Sequence, residues 1–144
     1  MTADEIITHF GLAPHPEGGW YRQTWAAEAE PGARPAGTSI LFLLRAGERS
    51  HWHRVDASEI WHFHAGAPLE LLIAPDADGP AVAHVLGSEF LQGQKPQAIV
   101  SPHHWQSARS LGEWTLVGCT VSPGFRFEGF ELAPPGFAIA PQDM

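Results

Sequence analysis

The stretch "SHWHRVDASEIWHFHAG" at positions 50–66 contains four histidines and a glutamate within a few residues of one another. Side chains alternate between the two faces of a β-strand, so His51 and His53 are predicted to point to the same side. A turn through "RVDAS" can return the chain so that Glu59, on the next strand, lies beside them. Two imidazoles and a carboxylate placed in this way can bind a divalent metal, or can act as acid and base on a small molecule.

The same alternation divides the second strand into two faces. Glu59, Trp61 and Phe63 are predicted to share the pocket face, where the two aromatic rings would form walls against a ligand. His62 and His64 are predicted to lie on the opposite, outer face. A His-x-His pair on a strand is also common as ordinary polarity without any site, so the spacing alone leaves both interpretations open.

Composition limits the class of protein. The 144 residues are enough for one domain with a full core, and we expect a single domain over residues 1–144. Eight basic and sixteen acidic side chains give a net charge of −8, which repels phosphate backbones and makes nucleic acid an unexpected partner. A single cysteine, Cys119, excludes an intramolecular disulfide and a cysteine-based zinc site. No apolar run approaches the ~20 residues that span a bilayer, so we expect no membrane partner and a cytoplasmic protein.

Only the N-terminus has a helical pattern. Thr2 and Glu5 form a capping box in "MTADEIITHFGL", and Gly11 can end the helix. Thirteen prolines and fifteen glycines divide the rest into short strands, which favours an all-β jelly roll, or double-stranded β-helix, behind a short N-terminal helix. Asp78-Gly79 is a hairpin signal. The predicted strands are 19–25, 38–45, 50–54, 59–65, 68–74, 81–87, 96–100, 104–109 and 114–121, with a last arm at 125–132.

The central stretch resembles the first motif of the cupins, which runs glycine, His-x-His, glutamate, glycine. The residues that fall on this motif, with small differences in spacing, are Gly47, His51, His53, Glu59 and Gly66. Together with "LAPHPEGGWYRQTW", "HRVDASEIWHFHAGAPLELL" and "ELAPPGF", it is similar to an uncharacterised cupin subfamily close in fold to sugar-nucleotide 3,5-epimerases. The resemblance covers nearly the whole chain and implies a cupin fold.

The second cupin motif departs from the family pattern. The resemblance implies a further metal-binding histidine there, but Gln106 stands at that position in "IVSPHHWQSARSL". An amide oxygen binds borderline metals more weakly than imidazole does. Two alternatives therefore stay open: one divalent metal (zinc, iron, manganese or nickel) on His51, His53, Glu59 and Gln106, or no metal. His103 and His104 are candidates to replace the missing ligand, although a turn position favours solvent.

Three functions follow from these observations. The first is a pocket for a small polar molecule, sugar-like or anionic, in which His53 or His51 is the acid/base of an isomerase or epimerase and Glu59 orients the imidazole. Arg22 or Arg54 would hold an anionic group. The second is a metal-dependent oxygenase or isomerase. The third is a non-catalytic ligand-binding or sensor module. Cupins of this kind commonly pair, so the resemblance also implies a homodimer, in which "GWYRQTW" and the apolar tail cover a neighbouring sheet.

Overall fold

The computed structural model describes residues 1–142. It contains one α-helix, α1 (Ala3–Phe10), and short 3-10 turns at Phe90–Gln92 and Phe127–Gly129. The strands are β1 (Ala13–Pro14), β2 (Trp20–Ala26), β3 (Thr38–Arg45), β4 (Arg49–Val55), β5 (Ser58–Gly66), β6 (Leu69–Ala74), β7 (Val82–Leu86), β8 (Gln97–Val100), β9 (Trp105–Ser110), β10 (Trp114–Ser122) and β11 (Phe130–Leu132).

The helix α1 forms as its sequence predicts. The Thr2 hydroxyl accepts the backbone N–H of Glu5 at 3.2 Å, and the Glu5 carboxylate accepts the backbone N–H of Thr2 at 3.0 Å. Gly11 ends the helix in the left-handed conformation, with φ of 64°. The helix buries Ile6 against one sheet, where it packs in a cluster with Leu43. In the part of the chain that the structure describes, no helix has the length and apolar character needed to cross a bilayer.

The strands form two antiparallel sheets. The first has the order β1-β2-β3-β10-β5-β8 and the second the order β11-β4-β9-β6-β7. Inward-facing side chains of both sheets form a common core, so the predicted jelly roll is confirmed. The hairpin signal Asp78-Gly79 lies in the connection between β6 and β7, which pair from Ile73 opposite Val82.

The inside of the barrel has two ends that differ in character. At one, which we call the packed end, buried apolar side chains fill the space between the sheets; they include Phe42, Leu44, Trp61, Leu71 and Val117. Further along the same strands lies the open end, where polar side chains surround a cavity.

The strand β4 carries a bulge that decides which histidine faces inward. Ser50 pairs with Ala108 and His53 pairs with Gln106, so β4 advances three residues while β9 advances two. The extra residue in β4 breaks the alternation of side chains. Ser50 and His53 are therefore fully buried inside the barrel. The prediction that His51 and His53 share a face is wrong for this reason.

The C-terminal segment covers the outer face of the second sheet. After β11 has paired with β4, Phe137 and Ile139 pack against Trp52 and Trp105, which point outward from β4 and β9. Pro141 then forms a bridge with Ala81 beside β7. The tail therefore wraps its own chain within the described residues. The homodimer stays a prediction.

Candidate functional site

The open end of the barrel encloses a cavity of about 190 Å³ between the two sheets. Its polar lining includes His15 and Glu17, from the loop between β1 and β2, together with His53 from β4 and Glu59 from β5. Four titratable side chains thus meet in a space that is largely shielded from solvent. Such a concentration in a cavity is typical of a functional site.

A pair of glycines brings Glu17 into the barrel. Gly18 and Gly19 have φ of 108° and 79°, a conformation that other residues rarely adopt. A Cβ on Gly18 would collide with the backbone carbonyl of Arg49, so only glycine lets this loop lie against the start of β4. The backbone N–H of His51 donates to the Glu17 carbonyl at 2.8 Å and holds the loop there. As a result the Glu17 side chain is only 9% exposed.

The Glu17 carboxyl lies among uncharged polar groups. It accepts a hydrogen bond from the Ser50 hydroxyl, and its oxygens lie 3.2 Å from Nδ1 of His53 and 3.3 Å from Nδ1 of His15. Burial raises the pKa of Glu17 to about 8 and lowers the pKa of His15 to about 4, with His53 adding to the second effect. These contacts therefore join neutral groups at neutral pH, and are not ion pairs.

His53 presents one ring nitrogen to the cavity. Its Nδ1 lies 2.7 Å from the backbone carbonyl of His51, which can only accept, so Nδ1 of the neutral ring carries the hydrogen and Nε2 keeps a lone pair. Burial lowers the pKa of His53, and the nearby Glu59 opposes that shift in part. Within residues 1–142, every fully buried side-chain nitrogen or oxygen has a hydrogen-bond partner. Nε2 of His53 has no such partner, so this atom is not fully buried and is in contact with the cavity.

A chain of hydrogen bonds fixes Glu59. The Gln106 amide donates to Oε1 of Glu59 at 2.9 Å, and the indole N–H of Trp61 donates to the Gln106 oxygen at 2.7 Å. Burial raises the pKa of Glu59 to about 7, although His53 and Gln106 act in the opposite direction. Cys119 lies beside Glu59, and burial raises the pKa of its thiol. Cys119 is buried, and it also lines the cavity.

The four residues proposed as metal ligands do not fit a metal. Nε2 of His51 donates to the Pro134 carbonyl at 3.1 Å, on the outer side of the bulge. The Gln106 oxygen already accepts from Trp61. Only His53 and Glu59 of the set line the cavity. Within the described chain, no group of three or more His, Cys, Asp or Glu residues is arranged to hold an ion.

Neither histidine proposed as a replacement ligand lines the cavity. His103 lies exposed in the turn before β9, with φ of 65°, and its backbone N–H donates to the Val55 carbonyl at 2.8 Å. His104 is half-buried just before β9 begins.

The predicted anion-binding residues lie outside the barrel. Arg22 is exposed, and its guanidinium donates to the Phe10 carbonyl at 3.1 Å. Arg54 pairs with Glu131 at 2.8 Å and stacks 4.6 Å above the ring of Trp105 on the outer face. Among the residues that the structure describes, no lysine or arginine lines the cavity, so the prediction that Arg22 or Arg54 holds an anionic group there is wrong.

The remaining predictions on β5 have mixed outcomes. Trp61 and Phe63 point inward, but they belong to the packed end and do not line the cavity. His62 lies on the outer face as predicted, with Nε2 3.0 Å from the Thr120 hydroxyl. His64 is exposed on the same face, beside Gly118 of β10.

Sequence reasoning missed two groups of cavity residues. The first is the pair His15 and Glu17, whose signal is the double glycine that follows them in "HPEGG". The second is an aromatic wall, which we define as Phe125, Phe127 and Phe130. The signal for this wall is the alternating "FRFEGF".

The fold and the motifs on β4 and β5 define a cupin. The family model described as "Cupin superfamily (DUF985)" matches residues 4–133, and the chain therefore belongs to that family. A protein from Shewanella oneidensis is 38% identical, with a TM-score of 0.86 over 92% of this chain and 85% of its own. A hypothetical protein from Leishmania major is 29% identical, with a TM-score of 0.84 over 95% of this chain and 90% of its own.

More distant similarity extends to oxalate decarboxylase from Bacillus subtilis. That structure is 15% identical, with a TM-score of 0.63 over 83% of this chain and 29% of its own length. At this identity the similarity supports the shared fold and carries no information on activity. No curated protein matches the sequence.

Proposed function

We propose that the protein binds a small polar molecule without negative charge in its cavity and transfers a proton on that molecule, as isomerases and epimerases do. The observation that supports this most directly is His53, whose open Nε2 faces the same cavity as Glu59 while Glu17 lies against its Nδ1. Proton transfer beside a carbonyl group needs a base and an acid with pKa values near the working pH. Glu59, with a pKa of about 7, satisfies that requirement as the acid, and His53, whose pKa burial lowers, is present as the neutral imidazole that can accept a proton.

The roles of the two groups follow from their protonation. Nε2 of His53 takes a proton from the carbon next to the carbonyl, while the protonated Glu59 gives its proton to the carbonyl oxygen, so an enol forms. Reversal of both transfers, at the neighbouring carbon or at the opposite face, gives the isomer and restores both residues. Glu17 acts as a positioning residue, since its carboxyl group lies 3.2 Å from Nδ1 of the ring that gains the proton.

Charge and size limit the ligand. The described part of the chain lines the cavity with two buried carboxyl groups and no lysine or arginine, so an anion would lose its hydration without gaining a cationic partner. Its volume of about 190 Å³ is below the ~300–1,000 Å³ of pockets that hold drug-sized ligands. We therefore propose a ligand of only a few carbon atoms.

Exchange of carbon-bound hydrogen with solvent tests the proposal. The protein is incubated in D₂O with dihydroxyacetone, aminoacetone or pyruvate, and loss of the C–H signals is followed by NMR. We expect faster exchange for at least one of the first two compounds and none for the anion. His53→Gln should abolish it, whereas the matched variant His51→Gln should leave it unchanged because His51 lies outside the cavity. Equal rates for His53→Gln and the unmodified protein would contradict the proposal.

The same experiment separates a catalyst from a binding module. A compound that shifts the NMR signals of cavity residues without exchanging its own hydrogens would indicate binding without turnover. In that case the cavity keeps its role as a ligand site, and the acid and base roles of His53 and Glu59 are withdrawn.

A further inference from the structure

We infer that the ligand of this cavity carries an ammonium group, an inference that rests on the proposed function because it assigns a chemical class to the same site. The feature that supports it is that aromatic and carboxyl side chains line one cavity. The aromatic wall and Tyr21 line the same cavity as Glu17 and Glu59, and Phe127 is the exposed member of the wall.

The aromatic wall is a cluster of three rings on one side of the cavity. The ring centroids of Phe125 and Phe127 are 5.0 Å apart, those of Phe125 and Phe130 are 5.6 Å apart, and those of Phe127 and Phe130 are 6.2 Å apart. The rings are inclined to one another by 62° to 85°, so they pack edge to face and form one continuous aromatic surface. The faces of aromatic rings attract cations, and cages of such rings are a common means of recognising ammonium groups.

The wall is held in place without a ligand. The Thr38 hydroxyl accepts the backbone N–H of Phe125 at 2.9 Å. Asp56 accepts from Arg34 at 2.7 Å and from Arg126 at 3.0 Å, and Arg34 also donates to the Gly124 carbonyl at 2.7 Å. Both guanidinium groups are thus paired with Asp56 outside the cavity lining, so neither opposes a cation inside it.

Within residues 1–142, no side chain of the cavity lining gives Glu17 or Glu59 a positively charged partner. The other titratable groups of the lining are His15, His53, Tyr21 and Cys119, and none supplies a positive charge at neutral pH, since burial lowers the pKa of both imidazoles. Burial raises the pKa of both carboxyl groups, so at neutral pH Glu17 is largely protonated and Glu59 is about half protonated. An ammonium group can replace a carboxyl proton, because it restores a positive charge beside the carboxylate. The net charge of −8 also favours the approach of cations.

Proton release gives the inference a measurable signature. Glu17 supplies the carboxylate for the ammonium group, because the proposed proton transfer uses the proton of Glu59, and the pKa of Glu17 is about 8. Binding of a cation should therefore release about one proton near neutral pH. The apparent affinity should rise about tenfold between about pH 6 and about pH 7, because the ionised fraction of a group with a pKa near 8 rises by about that factor.

Isothermal titration calorimetry with two matched probes tests these expectations. Choline is compared with 3,3-dimethyl-1-butanol, which has the same shape and replaces the charged nitrogen by carbon. We expect choline to bind about tenfold more tightly at about pH 8, with a heat that depends on the ionisation enthalpy of the buffer. The alcohol should show neither a pH dependence nor a buffer dependence.

Variants assign the pH dependence of choline binding to individual residues. Glu17→Gln should remove the pH dependence and most of the affinity for choline while leaving the weak binding of the alcohol unchanged. Glu89→Gln, at an exposed position far from the lining, is the matched control. Phe127→Leu should weaken choline binding several-fold and affect the alcohol less.

The failures are distinguishable. Equal affinity for both probes, or tighter binding of the alcohol, would overturn the ammonium inference while leaving the cavity as a ligand site. Binding of neither probe would also overturn it, and the hydrogen-exchange assay would then decide the proposed function by itself.

Discussion

The packed end and the open end of the barrel are built from the same strands, yet their inward positions hold opposite chemistry. On β5, Trp61 fills the packed end and Glu59, two residues earlier, lines the cavity. On β3, Phe42 belongs to the packed end and Ile40, two residues earlier, lines the cavity. Because side chains alternate with a period of two, one strand supplies both ends. The difference shows that a few inward positions not needed for packing are enough to build a site on a stable fold.

Gln106 forms the boundary between the two ends. Its oxygen accepts from Trp61 of the packed end, and its amide nitrogen donates to Glu59 of the open end. The side chain at this position must accept from the indole N–H of Trp61 and donate to the carboxyl oxygen of Glu59, and an amide does both. This bridge accounts for an amide at the position where the second cupin motif has a histidine.

Truncation at the packed end should cause the largest loss of stability. Leu71→Ala should lower the free energy of unfolding by about 2–5 kcal/mol, because it opens a void among close-packed side chains. The matched change at the open end, Val121→Ala, should cost only about 1–2 kcal/mol since Val121 already borders a cavity. Urea unfolding measures both values. Equal losses would contradict the distinction between the two ends.

The open end should also make stability depend on pH. Glu17 loses its proton near pH 4.5 when unfolded and near pH 8 when folded, so the folded state binds more protons in this range and rising pH destabilises it. His15 acts in the opposite direction, but only between about pH 6.5 and about pH 4. Between about pH 6.5 and pH 8 the free energy of unfolding should therefore fall by roughly 2 kcal/mol.

Glu17→Gln tests that dependence. The variant should lose most of the fall above about pH 6.5, whereas Glu89→Gln should retain it because its carboxyl group is exposed. Thermal unfolding at a series of pH values measures the slopes. A slope in Glu17→Gln as steep as in the unmodified protein would assign the dependence to other groups.

Much of the fold could be predicted from the sequence, because its signals are local. The capping box at Thr2 and Glu5 and the strand at 38–45 follow from side-chain pattern and punctuation, and both are confirmed. The two-residue β1 carries no period that a pattern could reveal, and the sequence analysis did not predict it. Signals of this kind work where neighbouring residues determine the outcome.

The site could be predicted only in part, because two nonlocal effects determine it. The bulge in β4 depends on how β9 pairs with it, and alternation alone placed His51 beside His53. The Glu17 loop enters the barrel only because Gly18 passes close to Arg49, which lies far along the chain. Residues brought in by a loop leave no period in the sequence, so the position of Glu17 needed the structure.

Breaking the bridge between the two ends should have an intermediate effect. Trp61→Phe removes the indole N–H and leaves the buried Gln106 oxygen without its donor. The free energy of unfolding should fall by about 1–2 kcal/mol, since an unsatisfied buried acceptor keeps its desolvation cost. Urea unfolding measures the loss, and a carboxyl carbon NMR titration should show a changed pKa for Glu59. An unaltered titration of Glu59 would mean that Gln106 holds its position without Trp61.

The outer face of β5 should show the smallest effect. His62→Ala removes contacts with Thr120 and Gln97 at a half-buried surface position. We expect the free energy of unfolding to change by less than about 0.5 kcal/mol, with unchanged binding of probes in the cavity. Urea unfolding and calorimetry check both expectations. A loss comparable to that of Leu71→Ala would show that this face has a structural role.

The central claim is that burial at the open end raises the pKa of two carboxyl groups to neutral pH or above. A carbon-13 NMR titration of the glutamate carboxyl groups, assigned with Glu17→Gln and Glu59→Gln, tests it directly. We predict that the two resonances lost in these variants titrate at about pH 8 and about pH 7, well above the usual range near 4.5. If both titrated near 4.5, the cavity would hold two carboxylates at neutral pH, and the acid role of Glu59 and the proton release on cation binding would both be contradicted.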